Sequence, residues 1–109
     1  MVFDKTILLF NKRRLFHQRL TTSNYMNFYV YIILSKKNGK YYSYVGYTNN
    51  LARRIDLHNR SKGAKSTRGK KWFLAYKKKF NKKTLALKYE YKLKKDKKKR
   101  IKIKERYFK

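Results

Sequence analysis

The chain has 109 residues, with 33 Lys and Arg against five Asp and Glu, for a formal net charge of +28. That is room for one small domain, carrying a charge that calls for a polyanionic partner or many counterions. The absence of cysteine excludes disulfides, thiolate metal sites and a cysteine nucleophile, and two His with five acids leave too few ligands for a metal cage made from protein alone.

Nucleic acid is the first partner such a charge suggests and an anionic membrane surface the second. Lysine-rich coding by an AT-rich genome is a third account, one that needs no partner. No apolar run approaches the roughly 20 residues of a spanning helix, and no membrane partner is expected.

Residues 1–26 read as a basic extension, expected to be poorly ordered. Their apolar part, Ile7-Leu8-Leu9-Phe10, precedes rather than follows the charges of Lys12-Arg13-Arg14. That is the wrong order for a secretory signal; the Arg, Ser and Thr content leaves mitochondrial targeting as an alternative. Met26 stands directly before the first patterned segment, so a start of translation there is a further alternative.

Residues 28–35 open the patterned region as an aromatic and β-branched strand. Val30, Ile32 and Leu34 fall on one face, Tyr29, Tyr31 and Ile33 on the other. Asn38-Gly39 is a tight-turn signal, and residues 41–47 (YYSYVGY) form a second strand, which makes a β-hairpin. Thr48, Asn49 and Asn50 are good N-cap residues for a helix over 50–59, where Arg54 and His58 project from one side. Residues 61–71 form a basic loop. A third strand is expected at 72–80 and a second helix at 83–95, with Leu85, Ala86, Tyr89 and Leu93 as its stripe. Residues 96–109 are a basic tail with the option of a last helix.

In this order the elements resemble the GIY-YIG nuclease superfamily. Tyr29-Val30-Tyr31 is similar to the first signature, with Tyr31 as its tyrosine, and Tyr44-Val45-Gly46 is similar to the second. The run through Thr48, Asn49 and Asn50 to Arg54 resembles the family's strand-to-helix junction, which puts Arg54 at the catalytic arginine. His58-Asn59 matches the family's helix end. Residues 62–69 resemble the connecting loop of small stand-alone members, and Glu90 falls at the metal-binding glutamate. The resemblance spans residues 28–95. It departs where Tyr29 replaces a signature glycine, where the hairpin is a residue or two longer, and where Trp72 replaces a frequent proline.

The chemistry can also be argued from the residues. Phosphodiester hydrolysis needs a nucleophilic water, a cation for the phosphoryl charge and help for the leaving oxygen. Two-metal sites use several carboxylates, and this chain has only Asp4, Asp56, Glu90, Asp96 and Glu105. A single Glu with water and phosphate oxygens suits Mg²⁺, or Mn²⁺ in its place, and Glu90 sits mid-helix among Leu87, Tyr89, Tyr91 and Leu93. The base is then a tyrosine, Tyr31 or Tyr44, whose phenolate a metal, Arg54 and His58 would favour. Arg54 offers a fork for phosphate, and His58 can relay a proton or orient a tyrosine. Lys62, Lys65, Arg68, Lys70 and Lys71 would form a phosphate-binding rim.

Each residue also has a plainer role. Tyr31 and Tyr44 could be core, Arg54 a solvated cation, His58 a cap at the helix C-terminus, and Glu90 the i,i+4 partner of Lys94. Trp72 reads as core under the first helix, with stacking on a splayed base as its alternative. The combination favours a small α/β (α+β) sandwich with a three-stranded, mainly antiparallel sheet. The resemblance implies a metal-dependent endonuclease that hydrolyses DNA and works inside the cell where DNA is, in cytoplasm or nucleus. Analogy with small members suggests structure-selective cleavage in repair or recombination. The alternative is a catalytically inactive, basic nucleic-acid-binding protein of the same fold.

Overall fold

The computed structural model describes residues 27–108; the extension read at 1–26 and Lys109 lie outside the described residues. Three strands, β1 (Phe28–Lys37), β2 (Lys40–Thr48) and β3 (Phe73–Phe80), form one sheet in the order β2-β1-β3. Both pairings are antiparallel. Three helices complete the fold: α1 (Leu51–Asn59), α2 (Lys83–Lys95) and α3 (Lys97–Tyr107). The architecture is α+β, as the sequence predicts.

The hairpin is tighter than the sequence reading. Lys37 pairs with Lys40, leaving Asn38 and Gly39 as a two-residue turn with φ of 53° and 77°. Positive φ at both positions is what a type I′ turn demands, and Asn-Gly meets it at least cost. The extra strand residues at the turn are Lys36, Lys37 and Lys40, which look like loop in sequence but suit the exposed end of a hairpin.

Strand β1 is central, and residues 30–35 are all buried. Its alternation therefore separates two cores. Val30, Ile32 and Leu34 pack with Val45, Ala86, Leu93 and Ile103 beneath α2 and α3. Tyr31 and Ile33 pack with Trp72, against Tyr44, Leu51, Ile55 and Leu74 beneath α1. Each fully buried aliphatic side chain contributes about 1.5–3 kcal/mol of transfer free energy. Between Ile32 and Ile33 the register of β3 slips, so that Ala75 bulges and Tyr76 and Leu74 both pair.

The last helix is anchored rather than free. Asp96 closes α2 and caps α3, accepting a hydrogen bond from the Lys99 N–H at 3.1 Å. Ile103 enters the core, and the Phe108 ring packs tilted against that of Tyr41, with centroids 4.6 Å apart. None of the described helices is long and apolar enough to cross a membrane. The ion pairs among the described residues are Arg60–Asp56 and Lys94–Glu90, which leaves most of the cationic surface without an internal counter-charge.

Candidate functional site

The site grows from the face of the sheet that α1 covers. Tyr31 pairs with Gly46 and Ile33 with Tyr44, so Tyr31 and Tyr44 are diagonal neighbours on one face. Their ring centroids are 6.4 Å apart. A Cβ at position 46 would overlap the Tyr31 hydroxyl and ring. The glycine two residues after Tyr44 is thus the floor on which Tyr31 lies.

Asn50 starts α1, its Oδ1 accepting from the Arg53 N–H at 3.2 Å. One helical turn separates Arg54 from His58, and both reach the tyrosines. The His58 Nε2 lies 2.8 Å from the Tyr31 hydroxyl, its Nδ1 lies 2.9 Å from Thr67 Oγ1, and its ring centroid is 5.0 Å from that of Tyr44. His58 is fully buried, so it does not serve as a solvent-facing helix cap. A Cβ at Gly63 would come within 2.6 Å of Nδ1, so the loop passes close to the imidazole only because residue 63 is glycine.

The 61–71 loop is pinned from beneath. Trp72 is buried and donates from Nε1 to the Thr67 carbonyl at 2.8 Å. Its own N–H and C=O are both taken by the Asn59 amide, at 2.6 and 3.1 Å. This capture of the backbone starts β3 at Phe73 rather than at Trp72. Burial also removes Trp72 from any stacking on a base, leaving the plug beneath α1 as its role.

Burial pushes the Tyr31 phenol up to about 12, against an opposing pull from the Arg54 guanidinium. Burial, then the Arg54 charge, pushes the His58 imidazole down to about 4. The expectation that Arg54 and His58 together favour a Tyr31 phenolate is therefore met only by Arg54. His58 is neutral near pH 7, and desolvation outweighs the arginine.

Glu90 lies on α2, which packs on the opposite face of the sheet from α1. Its carboxylate raises the Tyr31 and Tyr47 phenols, in both cases behind burial as the larger cause. It also pairs with Lys94 at 3.6 Å. Tyr47, Arg53, Arg54 and Lys83 border one open cleft of about 360 Å³. Arg53 thus borders the cleft beside Arg54. Among the loop cations, Lys62, Lys65, Arg68 and Lys71 are exposed. Lys70 lies over the Tyr42 ring at 4.6 Å.

The sequence reading placed Asn59 at the helix end and Gly63 and Thr67 in the connecting loop, but gave none of them the role of ordering the surroundings of His58. The Gly63 and Thr67 signals were present in the loop but have no catalytic residue type to mark them.

The family model of the GIY-YIG catalytic domain matches residues 27–104. Over 67 residues the chain is 45% identical to a UPF0213 protein of Oceanobacillus iheyensis, covering 61% of this chain and 74% of the relative. It is 42% identical over 67 residues to a UPF0213 protein of Staphylococcus haemolyticus, covering 61% and 78%. The solution NMR structure of a UPF0213 protein from Bacillus halodurans is 40% identical, covers 72% of this chain and 82% of that one, and superposes with a TM-score of 0.40.

Proposed function

This chain belongs to the GIY-YIG family, a nuclease family, and from that premise we propose that it is an endonuclease hydrolysing DNA phosphodiester bonds with Mg²⁺ or Mn²⁺. The observation that carries the reading is the buried contact of 2.8 Å between Tyr31 Oη and His58 Nε2, with Arg54 acting on the same phenol.

The proton path follows from donor and acceptor inventory. Tyr31 is protonated and His58 neutral near neutral pH, and with the imidazole proton on Nδ1 the phenol O–H donates to Nε2. Tyr31 is buried in the free protein, so substrate binding has to admit the attacking water to it. As the water attacks phosphorus and the P–O bond to the leaving oxygen breaks, the water's proton passes to the Tyr31 oxygen. The Tyr31 proton moves to Nε2, and solvent protonates the leaving oxygen. Tyr31 need never exist as free phenolate, which its raised pKa would make rare. Burial is the larger cause of the lowered His58 basicity; a phosphate on Arg54 offsets the smaller one, the guanidinium charge. Tyr44, half-buried beside both rings, orients the attacking water. The Arg54 fork takes two phosphate oxygens.

Among the described residues no three metal-ligating side chains cluster. One carboxylate, Glu90, fits a hard cation that keeps its waters and takes phosphate oxygens as further ligands. When bound, such an ion would supply charge for the phosphoryl oxygens and the leaving group. Arg53, Lys83 and the cations at 62, 65, 68, 70 and 71 grip the backbone without reading sequence. That pattern, in a chain whose matched region is one small domain, supports recognition of DNA structure, as repair or recombination requires.

The test is incubation of purified protein with supercoiled plasmid, branched DNA and flap DNA in Mg²⁺, Mn²⁺ or EDTA. Nicking in metal and not in EDTA, fastest on a branched substrate, is expected. Binding to all three with no metal-dependent cleavage would replace the reading with that of an inactive nucleic-acid-binding protein.

A further inference from the structure

We infer that Thr67 is a positioning residue that sets the tautomer of His58 and so directs its lone pair at Tyr31. The inference rests on the endonuclease reading only for its consequence in rate. Its structural content stands on three hydrogen bonds.

Thr67 Oγ1 donates to the Ala64 carbonyl at 2.8 Å, and a carbonyl can only accept. We place the single hydroxyl proton on this carbonyl, which also accepts the Thr67 N–H at 3.0 Å, rather than on Nδ1. Toward His58 Nδ1, 2.9 Å away, the same oxygen can only accept. Nδ1 must carry the imidazole proton, and a neutral imidazole has one, so Nε2 is bare and faces the Tyr31 hydroxyl. The chain of donors runs in one direction: Tyr31 O–H to Nε2, Nδ1–H to Thr67, Thr67 O–H to Ala64.

The surroundings keep this order. Thr67 and His58 are both fully buried, so no solvent substitutes for either partner. The Thr67 carbonyl is held by Trp72 Nε1, and Gly63 allows the loop to close on Nδ1. Without the threonine acceptor, Nδ1–H would be buried and unpaired, which is costly. The ring would shift to the Nε2–H form, which donates to Tyr31 and can take no proton from it. A tautomer fixed by the partner of the far nitrogen is the general behaviour of histidine in a relay.

The experiment compares wild type, Thr67→Ser, Thr67→Val and Thr67→Ala at pH 7. Long-range ¹H–¹⁵N correlation reads the His58 tautomer, and His17→Gln identifies which of the two histidines is which. Single-turnover cleavage and its pH profile are followed on the same samples. Wild type and Thr67→Ser should show Nδ1–H. Thr67→Val and Thr67→Ala, with cooperative melting retained, should gain Nε2–H, lose at least tenfold in rate and change their pH profile. An Nε2–H wild type, or a Thr67→Val or Thr67→Ala protein that keeps Nδ1–H, would overturn the inference. The wild-type spectrum decides even where the Val and Ala variants fail to fold. A wild type that cleaves nothing yet shows Nδ1–H, lost in the variants, would refute the enzyme reading and leave the role of Thr67 standing.

Discussion

Tyr31 and His58 are 27 residues apart in the chain, yet Oη and Nε2 meet at 2.8 Å and neither side chain reaches solvent. The strand supplies one, the C-terminal turn of α1 the other, and Gly46 and Gly63 clear the space for both. A buried pair of this kind has consequences for stability as well as for chemistry.

The first concerns pH. His58 is held near 4 when folded, against an ordinary value near 6.5. The folded state thus resists protonation that the unfolded state accepts. The stabilisation is fully present above pH 6.5 and is lost as pH falls toward 4, with a slope of up to about 1.4 kcal/mol per pH unit. Urea unfolding between pH 4 and 7 should show this slope in wild type. His58→Gln should flatten it by one proton.

Space at the two glycines gives the second prediction. Gly46→Ala and Gly63→Ala each push a methyl into a buried ring that cannot swing into solvent. Overpacking of this type costs about 1–3 kcal/mol. Both variants should melt lower than wild type and cleave more slowly. A Gly46→Ala protein with unchanged melting and rate would show that Tyr31 does not lie over β2.

A third prediction separates the two neighbouring arginines. Arg54 acts on both phenols, while Arg53 only borders the cleft. Arg54→Lys should lower single-turnover rate at saturating enzyme by about 10- to 100-fold, because an ammonium lacks the two-point fork. Arg53→Lys should leave that rate nearly unchanged and alter DNA affinity only slightly. Titration of rate against enzyme concentration distinguishes them.

The fourth prediction addresses the C-terminal helix. Truncation after Lys99 removes five cations and Glu105, and also Ile103 and Phe108. Ile103 is in the core and Phe108 packs on Tyr41, so loss of packing dominates loss of charge. Ile103→Ala alone should cost about 2–5 kcal/mol. The truncated protein should melt well below wild type, with binding and cleavage falling together. A truncation that melts normally and loses only salt-sensitive DNA binding would show α3 to be a phosphate-gripping appendage.

The strands and helices were legible because their signals are local. Residues 28–34 carry a two-sided apolar alternation, Asn38-Gly39 fixes the turn, and Asn50 caps α1 as its side chain predicts. The grouping of Tyr31, Tyr44, Arg54 and His58 was legible through spacing and through the family resemblance. Thr67 was not, because its role depends on a hydrogen bond to Ala64 that only the folded loop creates. The direction of the Tyr31 shift was also hidden, since charge is visible in a sequence but desolvation is not. The anchoring of α3 was obscured by its lysines: Ile103 is a single core residue in a strongly cationic helix. Asp96, an acid that caps that helix from within a run of lysines, was its local signal.

The endonuclease reading depends most directly on Glu90, the one carboxylate of α2, whose charge acts on Tyr31 and Tyr47. The deciding measurement is single-turnover nicking of supercoiled plasmid in Mg²⁺ by wild type and Glu90→Gln, each checked by melting curve and DNA-binding titration. The account predicts metal-dependent nicking by wild type, and a loss of at least 100-fold in Glu90→Gln with the fold and most of the DNA affinity kept. Undiminished nicking by Glu90→Gln, in preparations free of contaminating nuclease, would contradict it.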